Sequence, residues 1–171
     1  ILTPQGAGFA FWQYYDGTNY LLTAAPIAAG AAGAGQIVAT AGYFYNPHAA
    51  INPAGTAVVA WGQISGSRFG IFSNHYLSGS GWGSPTQVNS AAWTAFTQTP
   101  DPQIHLDDAG IATALWVEGT GASSPTVWNH QTVTGWGVPE IISYSGSGYR
   151  LTGNGAGQLL GTRFSGQNLY G

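Results

Sequence analysis

Short apolar runs of four or five residues, separated by clusters of Gly, Pro, Asn and Asp, recur along the chain, and no 3.6-residue helical period accompanies them. The runs are Phe9 to Trp12, Ala57 to Trp61, Ala112 to Trp116 and Gly157 to Leu160. They are apolar on both faces, as expected of strands covered on both sides. Each follows a turn glycine, Gly6, Gly55, Gly110 or Gly155, at spacings of 49, 55 and 45 residues. Two positions after that glycine the residue is always small (Gly8, Ala57, Ala112, Gly157), which predicts a crowded place where strands converge. The fullest statement of the pattern is Ala50 to Gly66, and its sisters are Leu2 to Gly17, Leu106 to Gly121 and Leu151 to Gly166. Repetition at such a period marks a repeat architecture.

Around each run the same elements are predicted. A short strand ends just before the first glycine, as at Ala49 to Ile51, Gln103 to Leu106 and Tyr149 to Leu151. A second glycine, Gly17, Gly66, Gly121 or Gly166, follows Asp, Ser or Thr and reads as a hairpin turn. Third strands follow at Asn19 to Ala24, Phe69 to Leu77 and Pro125 to Val133. Two units then carry Gly-Trp-Gly at residues 81–83 and 135–137, a proline, and a fourth strand at Thr86 to Asn89 or Glu140 to Ser143. Four short strands per unit, joined only by turns, describe a β-propeller blade. The fold class expected is therefore all-β, with units at 1–43, 44–97, 98–146 and 147–171, the last cut short. Pro47 and Pro102 hold matching places before the second and third units, and the loop Ser90 to Gln98 accounts for the longer spacing between them. Four units are few for a ring, so the expectation is a piece of a longer propeller, ahead of a ring completed by other copies or a small four-bladed ring.

The turn glycine, the apolar run ending in Trp, the hairpin glycine and the Gly-Trp-Gly before a proline together resemble the Trp/Gly-rich repeats of secreted or surface bacterial propeller proteins. Those are broadly similar to sialidase-like and propeller-lectin folds. The resemblance implies a scaffold. The sialidase box Ser-x-Asp-x-Gly-x-Thr-Trp is absent, with Asp16-Gly17-Thr18 only a fragment of it, and the Arg, Glu and Trp trio of fucose-binding propellers does not recur.

Composition narrows the functions. Only 5% of residues are charged and there is no Lys, while Gly reaches 27 residues and the aromatics comprise 7 Trp, 9 Tyr and 7 Phe. Such aromatic content argues against disorder. The three Arg are scattered at 68, 150 and 163, which argues against a nucleic-acid partner. No apolar stretch reaches about 18 residues, so no membrane span is expected. Without Cys there is neither a disulfide scaffold nor a Cys-ligated zinc site. A Lys-free surface rich in Thr, Ser, Asn and Gly suggests an extracellular or cell-surface protein. No signal peptide is visible, since Ile1 already lies within a repeat.

Chemistry is sparse. The carboxylates are Asp16, Asp101, Asp107, Asp108, Glu118 and Glu140. Asp107 and Asp108 fall in a turn and read as caps, and Glu118 falls where the sister units have Tyr14, Gln63 and Arg163, which looks solvent-facing. No nucleophile elbow, zinc helix or phosphate loop is present. The four His are too widely separated for ligand spacing, so no metal and no cofactor are expected. The expectation is therefore a non-catalytic module, with a propeller-glycosidase fragment as a remote alternative.

Carbohydrate binding is the sharper expectation, because aromatic rings stack on sugar faces while Asn, Gln, Ser and Tyr offer neutral hydrogen bonds. Trp12, Trp61 and Trp116 end buried-type strands and read as packing. The candidate ligand residues are Trp82 and Trp136 in their glycine-flanked turns, Trp93 and Trp128, which have no repeat partners, and the repeated pairs Asn74-His75 and Asn129-His130. The partners expected are a glycan or a surface protein, or further copies of the chain joined through open blade edges.

Overall fold

The computed structural model describes residues 1–65, 68–89, 99–118, 124–132, 134–143, 149–165 and 168–170. All regular structure among them is β-strand, arranged as four antiparallel sheets in chain order. The first contains β1 (Gly8–Tyr15), β2 (Tyr20–Ala28), β3 (Ala31–Ala32) and β4 (Gln36–Ala41). The second contains β5 (Tyr45–Ile51), β6 (Ala57–Ser65), β7 (Arg68–Leu77), β8 (Gly81–Trp82) and β9 (Thr86–Gln87). The third contains β10 (Gln103–Leu106), β11 (Ala112–Val117), β12 (Thr126–Thr132), β13 (Gly135–Trp136) and β14 (Glu140–Ser143), and the fourth β15 (Tyr149–Gly153), β16 (Leu159–Ser165) and β17 (Asn168–Tyr170).

In the second sheet β5, β6 and β7 lie side by side, and the fourth lane is split, with β8 and β9 both pairing with β7. The third sheet repeats this with β13 and β14 on β12. The interruption falls on Gly83-Ser84-Pro85 and Gly137-Val138-Pro139, where a proline without an N–H cannot continue a ladder. In the first sheet Gly33-Ala34-Gly35 separates β3 from β4 in the same way, and the first lane is reduced to the bridge between Leu2 and Gly8.

One turn is built four times. Residues Thr3 to Ala7, Asn52 to Thr56, Asp107 to Ile111 and Asn154 to Gln158 each close with a pair of backbone hydrogen bonds. The fourth residue of each is a glycine at positive φ: Gly6 at 81°, Gly55 at 82°, Gly110 at 82° and Gly157 at 75°. A left-handed backbone there favours glycine. The turn glycine of the fourth sheet is thus Gly157 and not Gly155, so its offset from Gly110 is 47 residues. The decisive residue is Asn154, whose Oδ1 accepts from the N–H of Gln158 at 3.1 Å, as Asn52 Oδ1 does from Thr56 at 3.0 Å and Asp107 Oδ1 from Ile111 at 2.7 Å. With this register the position held by Ala57 and Ala112 is filled by Leu159, and the rule of a small residue fails in the fourth sheet.

The core lies between sheets. Trp61, with Ala57 and Val59, is buried against Leu22, Val38, Ala39 and Phe44 of the preceding segment, and Trp116 with Ala114 against Ile71 and Val88. Trp12 is the register equivalent of these indoles, yet it is 41% exposed against 0% for Trp61, because among the described residues no sheet covers its face. The first strands β5, β10 and β15 of successive sheets run next to one another. Their turns are joined by Asn52 Nδ2 donating to Asp107 O at 3.1 Å and by Asp108 N donating to Gly155 O at 2.9 Å.

Candidate functional site

The open ground between the third and fourth sheets contains two adjoining cavities of about 220 and 230 Å3, which share Thr113, Trp128 and Leu159. One end is polar and includes His105, Asp107 and His130; the other is apolar and includes Leu115, Ile142 and Leu151. The groove follows from what the fourth sheet lacks. Gly161 pairs with Leu151 at the register position that Val59 and Ala114 fill elsewhere, and a Cβ there would meet nothing within 4 Å. Two residues on, Arg163 holds the place of Trp61 and Trp116. Where the two earlier interfaces insert the side chain of Val59 or Ala114, Gly161 offers none.

Trp128 forms the aromatic wall. Its ring stacks on His130 with centroids 5.4 Å apart and planes 28° apart, and its Nε1 donates to Glu140 Oε2 at 3.3 Å. On the polar side Asp107 Oδ1 is already bonded to the Ile111 N–H, and His105 Nε2 lies 3.2 Å from Asn154 O. The groove therefore offers one flat apolar surface beside a few hydrogen-bonding groups, the usual composition of a small-molecule cleft.

Trp128 and His130 are thus brought together, but the other candidate residues are placed elsewhere. Asn74 and Asn129 are buried and act as clamps between sheets. Asn74 Nδ2 donates to Val38 O at 2.7 Å and Gly83 O at 3.0 Å, and Asn129 Nδ2 donates to Val88 O at 2.8 Å and Gly137 O at 3.0 Å. Each joins its own split lane to the last strand of the sheet before it. Trp82 packs edge-on to Phe9 and Phe11, at 5.5 and 5.7 Å. Trp136 donates from Nε1 to Ser73 Oγ at 2.8 Å and lies 6.5 Å from the His75 ring. His75 is held below the usual histidine range by burial. Trp93 lies outside the described residues.

Two features stand apart from the sequence-based candidates. Glu118 is buried, not solvent-facing: it is 0% exposed, and burial pushes its carboxyl up to about 9. Trp116 Nε1 donates to its Oε2 at 2.8 Å and opposes that shift, while the Asn89 amide opposes it less and makes no hydrogen bond of ordinary geometry to Oε1. The signal was present in the repeat: Trp61 Nε1 donates to Gln63 Oε1 at 2.8 Å, so a neutral Glu118 takes the role of an amide. The second feature is an exposed polar cluster across the first strands. Asp101 Oδ1 lies 2.9 Å from His48 Nε2, and Arg150 approaches Oδ2 at 3.7 Å. Its members come from β5, β15 and the segment before β10, too far apart in sequence for any local motif to disclose.

Among the described residues no group of three or more His, Asp or Glu side chains is placed to hold a metal ion, and no helix is long and apolar enough to cross a membrane. Compared with protein-family models and with curated proteins, the chain matches none.

Proposed function

We propose that the chain is a run of β-propeller-type blades, forming a non-catalytic extracellular or surface module that binds through the blade faces and edges left open in it. The observation that carries this reading is the repeated sheet-to-sheet contact. Each contact uses a buried Trp at one register position, an Asn clamp to the preceding outer strand and an indole on the split lane. Such a contact is modular, and in repeat arrays each unit is stabilised chiefly by its neighbours. An uncovered face carrying Trp12, Tyr14 and Ile37, at 41%, 45% and 59% exposure, is suited to a further contact of the same kind. Light scattering on the purified chain at rising concentration tests this. Multimers that grow with concentration are expected, and a monodisperse monomer at about 100 μM would sink the reading.

A second reading, carbohydrate binding, is favoured by the stacked Trp128 and His130 beside His105 and Asp107. Saturation-transfer NMR with a panel of methyl glycosides tests it, and Trp128→Ala is expected to abolish any transfer. Blank spectra at millimolar sugar would remove it.

A further inference from the structure

The rings of Tyr15, Tyr20, Tyr43, Tyr45 and Phe69 form an unbroken row across the junction of the first and second sheets, with successive centroids 5.2, 4.9, 4.7 and 5.0 Å apart. Pairing and alternation build it. Tyr15 and Tyr20 are the last pair of the first hairpin. Phe44 is drawn into the core beside Trp61, and alternation turns its neighbours Tyr43 and Tyr45 away from that core. Tyr15 and Tyr43 are exposed, and Tyr20, Tyr45 and Phe69 are half-buried. The middle of the row, Tyr20 to Tyr45, lies between two sheets that are both described, so it does not depend on what precedes or follows the chain.

The chemistry of the row selects a partner. Successive ring planes are tilted by 44°, 72°, 59° and 84°, which makes ridges and notches rather than the flat platform on which a sugar face stacks. Tyr15 donates its hydroxyl to Gly17 O at 2.8 Å, which fixes the first ring, while the hydroxyls of Tyr20, Tyr43 and Tyr45 have no partner among the described residues and are free to donate. A polyproline II segment is the complement of such a surface. Its prolines have no N–H to satisfy, its carbonyls are unused because the helix has no internal hydrogen bonds, and its pyrrolidine rings fit between aromatic ridges. A turn rises about 9 Å, so the row spans at most about two turns. Charge adds a direction. Asp16 follows Tyr15 and is exposed, and the N–H groups of Asn19 and Thr18, both bonded to Oδ1 at 2.8 Å, hold its carboxyl below the usual range and so ionised.

We infer that the row is a docking site for a proline-rich segment in the polyproline II conformation, with a basic residue at the end that meets Asp16. This goes beyond both readings above and uses neither the Trp12 face nor the groove at Trp128. The probe is a fluorescein-labelled synthetic peptide of one arginine followed by six prolines, titrated with the full chain and followed by anisotropy. Saturable binding is expected, at least tenfold weaker when glycines replace the prolines and about threefold weaker when glutamate replaces the arginine. Tyr43→Ala is expected to weaken binding at least tenfold while leaving the far-ultraviolet dichroism intact. Tyr43→Phe keeps the ring and is expected to weaken binding about threefold at an unchanged melting temperature, which a purely structural role would not do. Asp16→Asn, which can still cap the turn, is expected to remove the preference for arginine over glutamate. The peptide comparisons need no variant protein, so they stand even if Tyr43→Ala fails to fold. Binding that ignores the prolines, survives Tyr43→Ala in a folded chain, or is absent at millimolar concentration overturns the proposal. Saturation-transfer signals from cellohexaose that Tyr43→Ala abolishes, without peptide binding, overturn it in favour of a glycan. Peptide binding by a chain that stays monomeric and ignores glycosides supports the proposal while removing both earlier readings.

Discussion

At position 118 a carboxyl group stands where the second sheet has the amide of Gln63, and both accept from an indole two residues earlier at 2.8 Å. Only a protonated acid substitutes well for an amide at a buried position, because an isolated buried carboxylate is costly. The folded chain holds this proton up to about 9, whereas an unfolded chain releases it near the ordinary 4.5. Between those values the unfolded state binds fewer protons, so the contribution of Glu118 to stability falls as pH rises, by at most about 1.4 kcal/mol per pH unit. Glu118→Gln is expected to remove that slope and to be the more stable chain at pH 8, with the two chains converging toward pH 5. Urea unfolding at both pH values measures it, and parallel losses in the two chains would show that burial does not hold the proton. The turn residues belong to the same scale. Asn52, Asp107 and Asn154 each bind a backbone N–H four residues on. Asn154→Ala is expected to cost about 1 kcal/mol, read from thermal unfolding.

Among the elements, the split outer lane carries one repeated join between a sheet and the one before it. Its indole and the neighbouring Asn reach back together, and the first sheet lacks both, since Ala32 and Ala25 stand at the positions of Trp82 and Asn74. Asn129→Ala would leave the Val88 and Gly137 carbonyls without their donor and is expected to destabilise by about 1–3 kcal/mol, measured by chemical unfolding. Asn129→Asp should be worse still, because a carboxylate cannot donate to those carbonyls. A complementary gain is expected at Ala24, the register equivalent of Ser73. Trp136 Nε1 has the Ser73 hydroxyl, whereas Trp82 Nε1 is buried without a partner and Trp82 packs in the cluster containing Ala24. Ala24→Ser is expected to raise stability by about 0.5–1.5 kcal/mol. A loss instead would mean that the hydroxyl does not reach the indole.

For the whole molecule, the face of the first sheet that carries Trp12 and the groove between the third and fourth sheets are open among the described residues. If self-association proceeds through the first, Trp12→Gln with Ile37→Lys should shift the chain toward monomer in light scattering without lowering its melting temperature. The sequence by itself determined the all-β class, most of the strands of the first three sheets, the turns at Gly6, Gly55 and Gly110, and the packing role of Trp61 and Trp116, while the expected hairpin glycines Gly66, Gly121 and Gly166 lie outside the described residues. These are properties of periodicity and turn chemistry, which act over a few residues. It misplaced the turn of the fourth sheet because Gly153, Gly155 and Gly157 offer three registers, and only the capping geometry of Asn154 selects one. It could not assign Glu118 or the Asn pairs, whose partners come from a neighbouring sheet about thirty to forty residues away, or Trp12, whose face no described sheet covers. Whether a side chain is a ligand group, a clamp or a buried acid was decided by which sheet lies against it, because burial and hydrogen-bond partnership are set across the interface rather than along the strand.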